Sequence, residues 1–357
     1  MDRQAEMLKH ITKEKRGIEV GPWFSPLAPK RKGYNCLSLD IFDAEKLVEI
    51  AKRDPLVPDD EIPSIEPVDL IGPSTVIDKI VEQRGGLGTF DYVLSSHNFE
   101  HSPNPVKFLQ GCGRVLRPDG FLSMAVPDKR ACFDYFRPHT TFGQWIEAFF
   151  ADRERPTFAQ IFEQYSLHSR LQANGEARSG FALTDDPSNV CALPTLREAF
   201  GAWVRCEETK DTTYRDVHCW IFTPSSFRLL MDDSSFLGLS PFEVAEVNEG
   251  TGGEFYAHLR NVGHRNYTAE QTTRHYAKRQ QLLHAVGNEC SYNSVALYRT
   301  RKSVQELEEL IAQLRANIAD VQTSIDDRQA QIDDLHLSTS WKITAPLRWL
   351  KKGTGSW

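Results

Sequence analysis

The stretch from Phe90 to Arg130 limits most strongly what this chain can fold into. It reads FDYVLSSHNFEHSPNPVKFLQGCGRVLRPDGFLSMAVPDKR. The pattern predicts a buried strand over Phe90–Ser95, a polar turn, a helix from about Pro105 to Leu116, a Pro-Asp-Gly turn and a second buried strand over Phe121–Val126. A strand, a helix and a strand in this order form a βαβ unit, whose two strands lie parallel.

Polar side chains follow both strands of this unit. Ser95–His101 come after the first strand and Asp128–Arg130 after the second. In an open parallel sheet, ligands bind beyond the carboxyl ends of the strands. For each of these residues alone, a role as helix cap or turn residue is the favoured explanation, but the whole set favours a functional site.

The segments before this unit continue the alternation of strands and helices. They predict residues 1–130 to be the first part of an α/β, Rossmann-like, doubly wound and mostly parallel sheet. The strands are expected at Gly17–Gly21, Asn35–Leu39 and Pro67–Ile71, and the helices at Asp43–Lys52 and about Pro73–Arg84.

Asp40 follows the second predicted strand, about twenty residues after Glu19. At about this spacing, a Rossmann unit places the acid that binds ribose hydroxyls. A helix cap is the alternative role for a single acid at this position.

The alternation stops between residues 131 and 220, where a plain doubly wound domain needs only a short crossover. These residues predict an inserted helical cap, in which Phe133, Tyr135 and Trp145 are expected to contribute to a core of the cap's own. Residues 221–300 are expected to complete the sheet with a helix from Pro224 and a glycine-linked pair of strands.

Residues 303–336 carry apolar residues at alternating spacings of three and four. This heptad pattern predicts a coiled coil and favours a parallel dimer, although a single amphipathic helix packed on the domain is the alternative. The apolar positions are Val304, Leu307, Ile311, Leu314, Ile318, Val321, Ile325, Ile332 and Leu335.

The tail, residues 337–357, is basic and rich in tryptophan. Lys342, Arg348, Lys351 and Lys352 alternate with apolar residues, which is typical of segments that bind a membrane surface or a partner groove. A terminus with no specific partner fits the pattern equally well.

Composition excludes several classes of protein. The formal net charge of -7 argues against general nucleic-acid binding. The seven cysteines are dispersed without zinc-ligand spacing, so free thiols in a reducing cytoplasm and no metal are expected. No stretch approaches the roughly 20 apolar residues that span a bilayer, so the expected location is the cytoplasm, with contact to the inner face of the membrane left open for the tail.

Several motifs, taken in order, resemble the class I S-adenosylmethionine-dependent methyltransferases, and among them a bacterial subgroup associated with surface-polysaccharide genes. The resemblance extends from Gly17 to Asn261, through GIEVGPWFSPLAPK, LSLD, VDLIG, FDYVLSSHNFEH, RVLRPDGFLSMAVPDKR, DVHCWIFTPSSF and EFYAHLRN. It implies S-adenosylmethionine as cofactor and a glycan or sugar-nucleotide acceptor. The later TSWKITAPLR resembles a segment that follows coiled coils in glycan-assembly proteins.

The resemblance also implies roles for individual residues. Glu19, Gly21 and Pro22 would approach the methionine part of the cofactor, Asp40 the ribose, Gly72 the adenine, and Ser95, Ser96 and His97 the sulfonium. The sequence departs from the family pattern at two places. The usual glycine-rich first turn is reduced to Gly21 followed by Pro22, and the acid that commonly follows the third strand is absent.

Methyl transfer needs an acceptor held about 3 Å from the methyl group and in line with the leaving sulfur. An acceptor hydroxyl must also lose its proton, and histidine suits this role because its pKa is near neutrality. His97 is the first candidate base, followed by His101 and His218, although turn and core packing would explain the latter two.

Asp128, Lys129 and Arg130 are expected to line the acceptor site, where the planar guanidinium of Arg130 would match a phosphate or a carboxylate. The rival hypothesis is a non-catalytic methyltransferase fold that serves as a scaffold in a glycan-assembly complex. A nicotinamide dehydrogenase fits less well, because the first turn lacks GxGxxG.

Overall fold

The computed structural model describes residues 2–173, 175–211, 213–250, 252–291 and 295–352. The chain divides into two compact units, Met1–Val295 and Ala296–Trp357. We describe each unit by itself.

The first unit is built on a seven-stranded sheet with the strand order β3-β2-β1-β4-β5-β10-β9. The strands from β1 to β5 run parallel, and β10 lies antiparallel to both β5 and β9. This arrangement confirms the predicted doubly wound, mostly parallel sheet. Its strands are β1 (Arg16–Val20), β2 (Asn35–Asp40), β3 (Leu70–Ile71), β4 (Phe90–Ser96), β5 (Leu116–Pro127), β9 (Phe242–Glu249) and β10 (Glu254–Asn261).

Helices accompany these strands along the chain. α4, the crossover helix of the central βαβ unit, begins with Asn104, whose side chain caps the helix by accepting from the amide of Lys107. The helices of the first unit are α1 (Arg3–Met7), α2 (Ala44–Ala51), α3 (Ile77–Glu82), α4 (Pro105–Val115), α5 (Phe142–Phe150), α6 (Phe158–Ser166), α7 (Leu196–Thr209), α8 (Pro224–Phe236) and α9 (Ala269–Ser291).

The second strand of the central unit begins earlier than its sequence predicts. The Pro-Asp-Gly segment does not precede β5 but forms an irregularity inside it, where the register with β4 shifts and Asp119 adopts a positive φ of 60°. The side chain of Asn261 donates to the carbonyls of Gly113, Leu116 and Arg117. A local sequence pattern cannot predict this contact, because the end of β10 and the start of β5 are far apart in the chain.

The main core contains a cluster of buried aromatic rings around Phe99. Its ring centroid lies 5.6 Å from that of Phe108, 5.7 Å from Trp145, 5.9 Å from Phe222 and 6.0 Å from Phe227. Edge-to-face and tilted pairs at these distances are favourable because of the quadrupole of the ring. The turn after β4 is therefore anchored from inside the domain.

The inserted region is not purely helical. Beside α6 and α7 it contains a three-stranded antiparallel sheet with the order β7-β6-β8, formed by β6 (Ser169–Ala173), β7 (Glu176–Arg178) and β8 (Val190–Ala192). The region predicted to be a helical cap thus includes strands, and its helix α6 ends at Ser166. The Asn-Gly pair at 174–175 is a hairpin signal in the sequence, and the helical periodicity before it masked that signal.

The aromatic residues expected to form the core of the cap divide between two cores. Trp145 lies in the main core, because α5 packs against α4. Tyr135 joins Phe181, Leu171 and neighbouring residues in a separate cluster under the small sheet. The expectation of one independent cap core is therefore wrong for Trp145.

The second unit consists of α10 (Val295–Leu337), α11 (Thr339–Ile343) and α12 (Ala345–Lys352). A single long helix thus covers the predicted coiled coil, and its heptad positions are exposed, Ile318 by 68%. In the tail, the guanidinium of Arg348 lies 3.6 Å from the ring centroid of Trp341. The side chains of Lys351 and Lys352 and all of residues 353–357 lie outside the described residues.

Within the part of the chain that the structure describes, no helix combines the length and the apolar character that crossing a membrane requires.

Candidate active site

The strand order reverses between β1 and β4, because β1 lies between β2 and β4 in the sheet. In open α/β sheets, ligands bind in the crevice that this reversal opens at the carboxyl ends of the strands. We therefore place the candidate site at the ends of β1, β2, β3 and β4.

A cavity of about 670 Å³ lies at the opposite edge of the sheet, where β5 begins and β10 ends. Its arginines are paired within the protein: Arg114 lies 2.7 Å from Asp78, and Arg260 lies 3.1 Å from Glu243. This cavity lies away from the crevice, so we do not assign the chemistry to it.

The turn after β1 is fixed by Gly21, which has a φ of 61° and donates its amide to the carbonyl of Leu39 over 2.8 Å. A non-glycine residue is strained in this region of φ. A Cβ atom added at Gly21 would lie 3.6 Å from the side-chain amide nitrogen of Asn98. Asn98 was not predicted, and its buried Oδ1 has no hydrogen-bond partner among the described residues, so we add it to the candidate cofactor contacts.

Glu19 acts inside the protein. Its carboxylate accepts from the backbone amides of Leu27 at 2.7 Å and Ala28 at 3.0 Å. Burial raises the pKa of Glu19, and these two hydrogen bonds act in the opposite direction. The resemblance implied an approach to the cofactor, but in this structure Glu19 shapes the loop that carries Pro22.

Asp40 ends β2 beside a small apolar surface. Ile41 is 51% exposed, and Ile71, which pairs with Asp40 in the sheet, is 56% exposed. Burial raises the pKa of Asp40, and the amides of Phe42 and Ile41 lower it. A carboxylate next to exposed apolar side chains suits a nucleoside, because the acid can bind ribose hydroxyls while the apolar surface contacts the base.

Gly72 follows β3 with a φ of 145°, and its amide donates to the carbonyl of Asp40 over 2.9 Å. A Cβ at Gly72 would lie 2.7 Å from the side chain of Ile80. Glycine thus lets the segment after β3 stay close to α3 and next to Asp40.

The end of β4 is a strained turn. His97 has a φ of 47°, which is unusual for a residue other than glycine. Ser95 is fully buried, and its hydroxyl has no hydrogen-bond partner in the described part of the chain. The hydroxyl of Ser96 accepts from Arg3 over 2.6 Å. The residues predicted to approach the sulfonium thus lie together at one strand end.

Three predicted histidines converge on Glu100. The Nδ1 of His97, the Nε2 of His101 and the Nε2 of His218 lie 3.6, 3.7 and 3.9 Å from its Oε1 atom. We call these four residues the histidine–carboxylate cluster. The side chain of Glu100 is 1% exposed, and neither oxygen has a hydrogen-bond partner among the described residues.

The opposite nitrogen of each histidine lies close to a second carboxylate. Nε2 of His97 lies 2.7 Å from Glu254, Nδ1 of His101 lies 2.8 Å from Asp216, and Nδ1 of His218 lies 2.5 Å from Asp134. None of these three acids was predicted. They lie up to 157 residues from their histidines along the chain, so no sequence spacing could indicate them.

The two carboxylates beside His97 also set its charge. Burial lowers the pKa of His97, but Glu100 and Glu254 outweigh burial and raise it to about 9. In return, burial raises the pKa of Glu254, but His97, Arg3 and Tyr256 together hold it at about 2. The positive charge of protonated His97 thus offsets the negative charges of Glu100 and Glu254.

Asp128, Lys129 and Arg130 are buried at the end of β5. The guanidinium of Arg130 binds both oxygens of Asp128, at 2.5 to 3.1 Å, and lies 3.3 Å from Glu249. Lys129 donates to the carbonyl of Tyr135 over 2.9 Å. In this structure Lys129 thus contacts the start of the inserted region, whereas Arg130 pairs with Asp128 and Glu249. Their contact with the acceptor stays a prediction.

Residues 85–124 match the protein family described as "Methyltransferase domain". The matched segment contains β4, the histidine-bearing turn and α4. The match supports a methyltransferase, and with it S-adenosylmethionine as the cofactor, in agreement with the assignment made from the sequence. No curated protein matches the chain significantly.

Several solved structures are similar to this chain at low sequence identity. A SAM-dependent methyltransferase from Thermotoga maritima, described as a possible histamine N-methyltransferase, is 14% identical, with 72% of this chain and 87% of that chain covered and a TM-score of 0.33. A SAM-dependent methyltransferase from Aquifex aeolicus is 13% identical, with coverages of 73% and 90% and a TM-score of 0.35. At this level of similarity, neither the acceptor nor the role of any residue can be inferred for this chain from these structures.

Proposed function

We propose that this protein transfers the methyl group of S-adenosylmethionine to a hydroxyl of a saccharide or an activated glycan precursor. The proposal rests on one observation: a surface suited to the cofactor and a group of candidate bases lie in the same crevice. The exposed apolar residues beside Asp40 suit the nucleoside, and the histidine–carboxylate cluster lies at the end of β4 in the same crevice.

The cofactor would extend along the strand ends, with Asp40 at the ribose, Gly72 near the adenine, and Gly21 with Pro22 at the methionine part. Its sulfonium would then lie near Ser95, Ser96 and His97. The acceptor would approach from the side of the inserted region, which supplies His218 to the cluster and Asp134 to the outer nitrogen of His218. The saccharide class rests on the sequence resemblance described above.

His97 is the first candidate for a base in the metal-free protein, and it would accept the proton in its neutral form, which predominates above its pKa of about 9. Its side chain is 46% exposed, whereas those of His101 and His218 are 24% and 8% exposed. Glu254 holds its outer nitrogen, as an orienting acid does in a base–acid pair. An acceptor hydroxyl could therefore reach His97 more easily than the other two histidines.

Replacing Asp40 with alanine should weaken S-adenosylmethionine binding by about 10- to 100-fold, because hydrogen bonds to a charged group contribute about 1.5–3 kcal/mol. Calorimetric titration of the cofactor into the intact protein measures this effect. Asp60→Ala removes an exposed acid of the following loop and should leave the affinity unchanged. Equal affinities in the wild type and Asp40→Ala would contradict the assignment of Asp40, and no binding to the wild type would favour the scaffold hypothesis.

We also propose that α10 pairs with α10 of a second copy of this chain. Its apolar heptad positions are exposed along the helix, and an apolar stripe of this length is stabilised by burial in a coiled coil. Contact of the tail with a membrane surface or a glycan-assembly partner stays a prediction, as does the cytoplasmic location.

The double substitution Ile311→Asp/Ile318→Asp should lower the molar mass measured by light scattering, because it places charges in the apolar seam. Ala312→Asp/Ala319→Asp adds the same charges one position further along the helix, outside the heptad positions, and should preserve the mass. Deleting residues from Val304 onward should have the same effect as the seam substitutions. An unchanged mass after both seam changes would rule out the coiled-coil role.

A further inference from the structure

The histidine–carboxylate cluster has the composition and spacing of a metal centre. Metal–nitrogen and metal–oxygen bonds of about 2.0–2.1 Å in a tetrahedral site separate neighbouring ligand atoms by roughly 3.3 Å. The three nitrogens lie 3.6 to 3.9 Å from Oε1 of Glu100. One ligand atom each from Glu100, His101 and His218 lies within 4.8 Å of the others. The distances to Oε1 exceed a hydrogen bond, and the ligand atoms would move closer together around an ion.

We propose that Glu100, His101 and His218 bind a divalent first-row transition-metal ion and leave a fourth position open. Two imidazoles with one carboxylate favour zinc, cobalt, nickel, iron or manganese over magnesium and calcium, which prefer oxygen ligands.

Glu100 is the residue that most strongly indicates a cation site. A buried carboxylate is costly unless it is paired, hydrogen-bonded or bound to a metal. The side chain of Glu100 is 1% exposed and points both oxygens into the protein without a hydrogen-bond partner among the described residues. An ion bound by His101 and His218 would add a divalent charge next to this carboxylate, which His97 at 3.6 Å otherwise pairs with.

The outer carboxylates match the surroundings of metal-bound histidines. Such histidines commonly donate their second ring N–H to a carboxylate, which fixes the tautomer and directs the other lone pair at the metal. Glu254, Asp216 and Asp134 lie 2.5 to 2.8 Å from the outer nitrogens of the three histidines. In the absence of an ion, the inner nitrogens must carry protons or direct their lone pairs at the negative charge of Glu100.

The cluster is held in place by the fold. Phe99 anchors the turn that carries Glu100 and His101, and the backbone amide of Cys219 donates to the carbonyl of Glu100 over 2.7 Å. The indole of Trp220 donates to the carbonyl of Ser102 over 2.5 Å. The segment with His218 is thus fastened to the turn with Glu100, so the ligand set is organised before an ion binds.

The use of the ion rests on the proposed function. His97 gives the cluster its exposed side, at the strand end where the sulfonium would lie. A hydroxyl of the acceptor that coordinates the ion would have a lowered pKa and would lose its proton to solvent. In that state the acceptor would occupy the position that the three protein ligands leave open, and the ion takes over the task that His97 would have as a free base.

Titration of zinc into the chelator-treated full-length protein tests the proposal. We expect one ion per chain and a rise in the thermal unfolding temperature on binding, and cobalt should give an absorption spectrum of a coordinated ion. Glu100→Gln, which keeps the shape of the side chain, should weaken zinc binding by at least about 100-fold. Asp134→Asn, which changes an outer carboxylate, should weaken it by about 10- to 100-fold.

His264→Asn removes an exposed histidine outside the cluster and should leave zinc affinity unchanged. His101→Asn provides a second cluster variant if Glu100→Gln does not fold. The proposal is overturned if the wild type binds neither zinc nor cobalt, or if a folded cluster variant binds zinc as tightly as the wild type. Metal binding without S-adenosylmethionine binding would overturn the proposed function alone, and the opposite result would overturn the metal site alone.

Discussion

Replacing Phe99 with alanine should lower the free energy of unfolding by about 3–5 kcal/mol, the usual range for removing a fully buried aromatic ring. Phe99 is fully buried and contacts four aromatic rings that come from α4, α5, the segment after the inserted region, and α8. No single neighbour can move to fill the space without disturbing the others, because the rings pack against one another at native density. Denaturant unfolding monitored by circular dichroism measures the loss.

The same substitution should affect the site, because Phe99 lies directly before Glu100 and two residues after His97. We expect turnover to fall in the Phe99→Ala protein even where it remains fully folded. Phe150→Ala removes an exposed ring from the end of α5 and should change stability by less than about 0.5 kcal/mol. Equal stabilities of the two variants would show that the aromatic cluster does not anchor the turn.

Replacing Glu19 with alanine should destabilise the protein by about 2–5 kcal/mol and weaken S-adenosylmethionine binding. The amides of Leu27 and Ala28 would lose their shared acceptor, and each unsatisfied buried donor costs about 1–3 kcal/mol. The loop with Pro22 would then lose the contact that holds it beside the crevice. Denaturant unfolding and cofactor titration measure the two effects separately.

Glu66 offers a control with the same chemistry. Its carboxylate accepts from the amides of Lys30 and Arg31 at 2.9 and 3.1 Å, but it is only half-buried. Water can replace these contacts, so Glu66→Ala should cost less than Glu19→Ala. A loss of stability in Glu19→Ala no larger than in Glu66→Ala would mean that burial does not strengthen the contacts of Glu19.

The sequence predicts the sheet well where the signal is local. The strands of the central unit, its crossover helix and the first two strands follow from apolar runs and turn residues. The structure differs where the pattern depends on distant partners: β5 begins early because Asn261 holds its first carbonyls, and the inserted region forms a sheet because Ser169–Ala173 finds two neighbouring strands.

The candidate site shows the same division. Asp40, His97, His101 and His218 are recognisable in the sequence, because they follow strands or resemble known motifs. Glu100 was visible only as a polar residue of a turn, and its role depends on burial. The acids behind the histidines become neighbours only in three dimensions, and the proposed metal ligands likewise come from two segments that are far apart in the chain.

The contacts of Glu254 have a consequence for the order in which the site is completed. This residue opens β10 and binds both His97 and Arg3, while Arg3 also reaches Ser96. A growing chain emerges from the ribosome in sequence order. More than half of the first unit is therefore synthesised between His97 and Glu254, the acid that orients it. The histidine therefore acquires its final orientation only when the last strand has joined the sheet, and nascent chains that stop before β10 should lack a completed site.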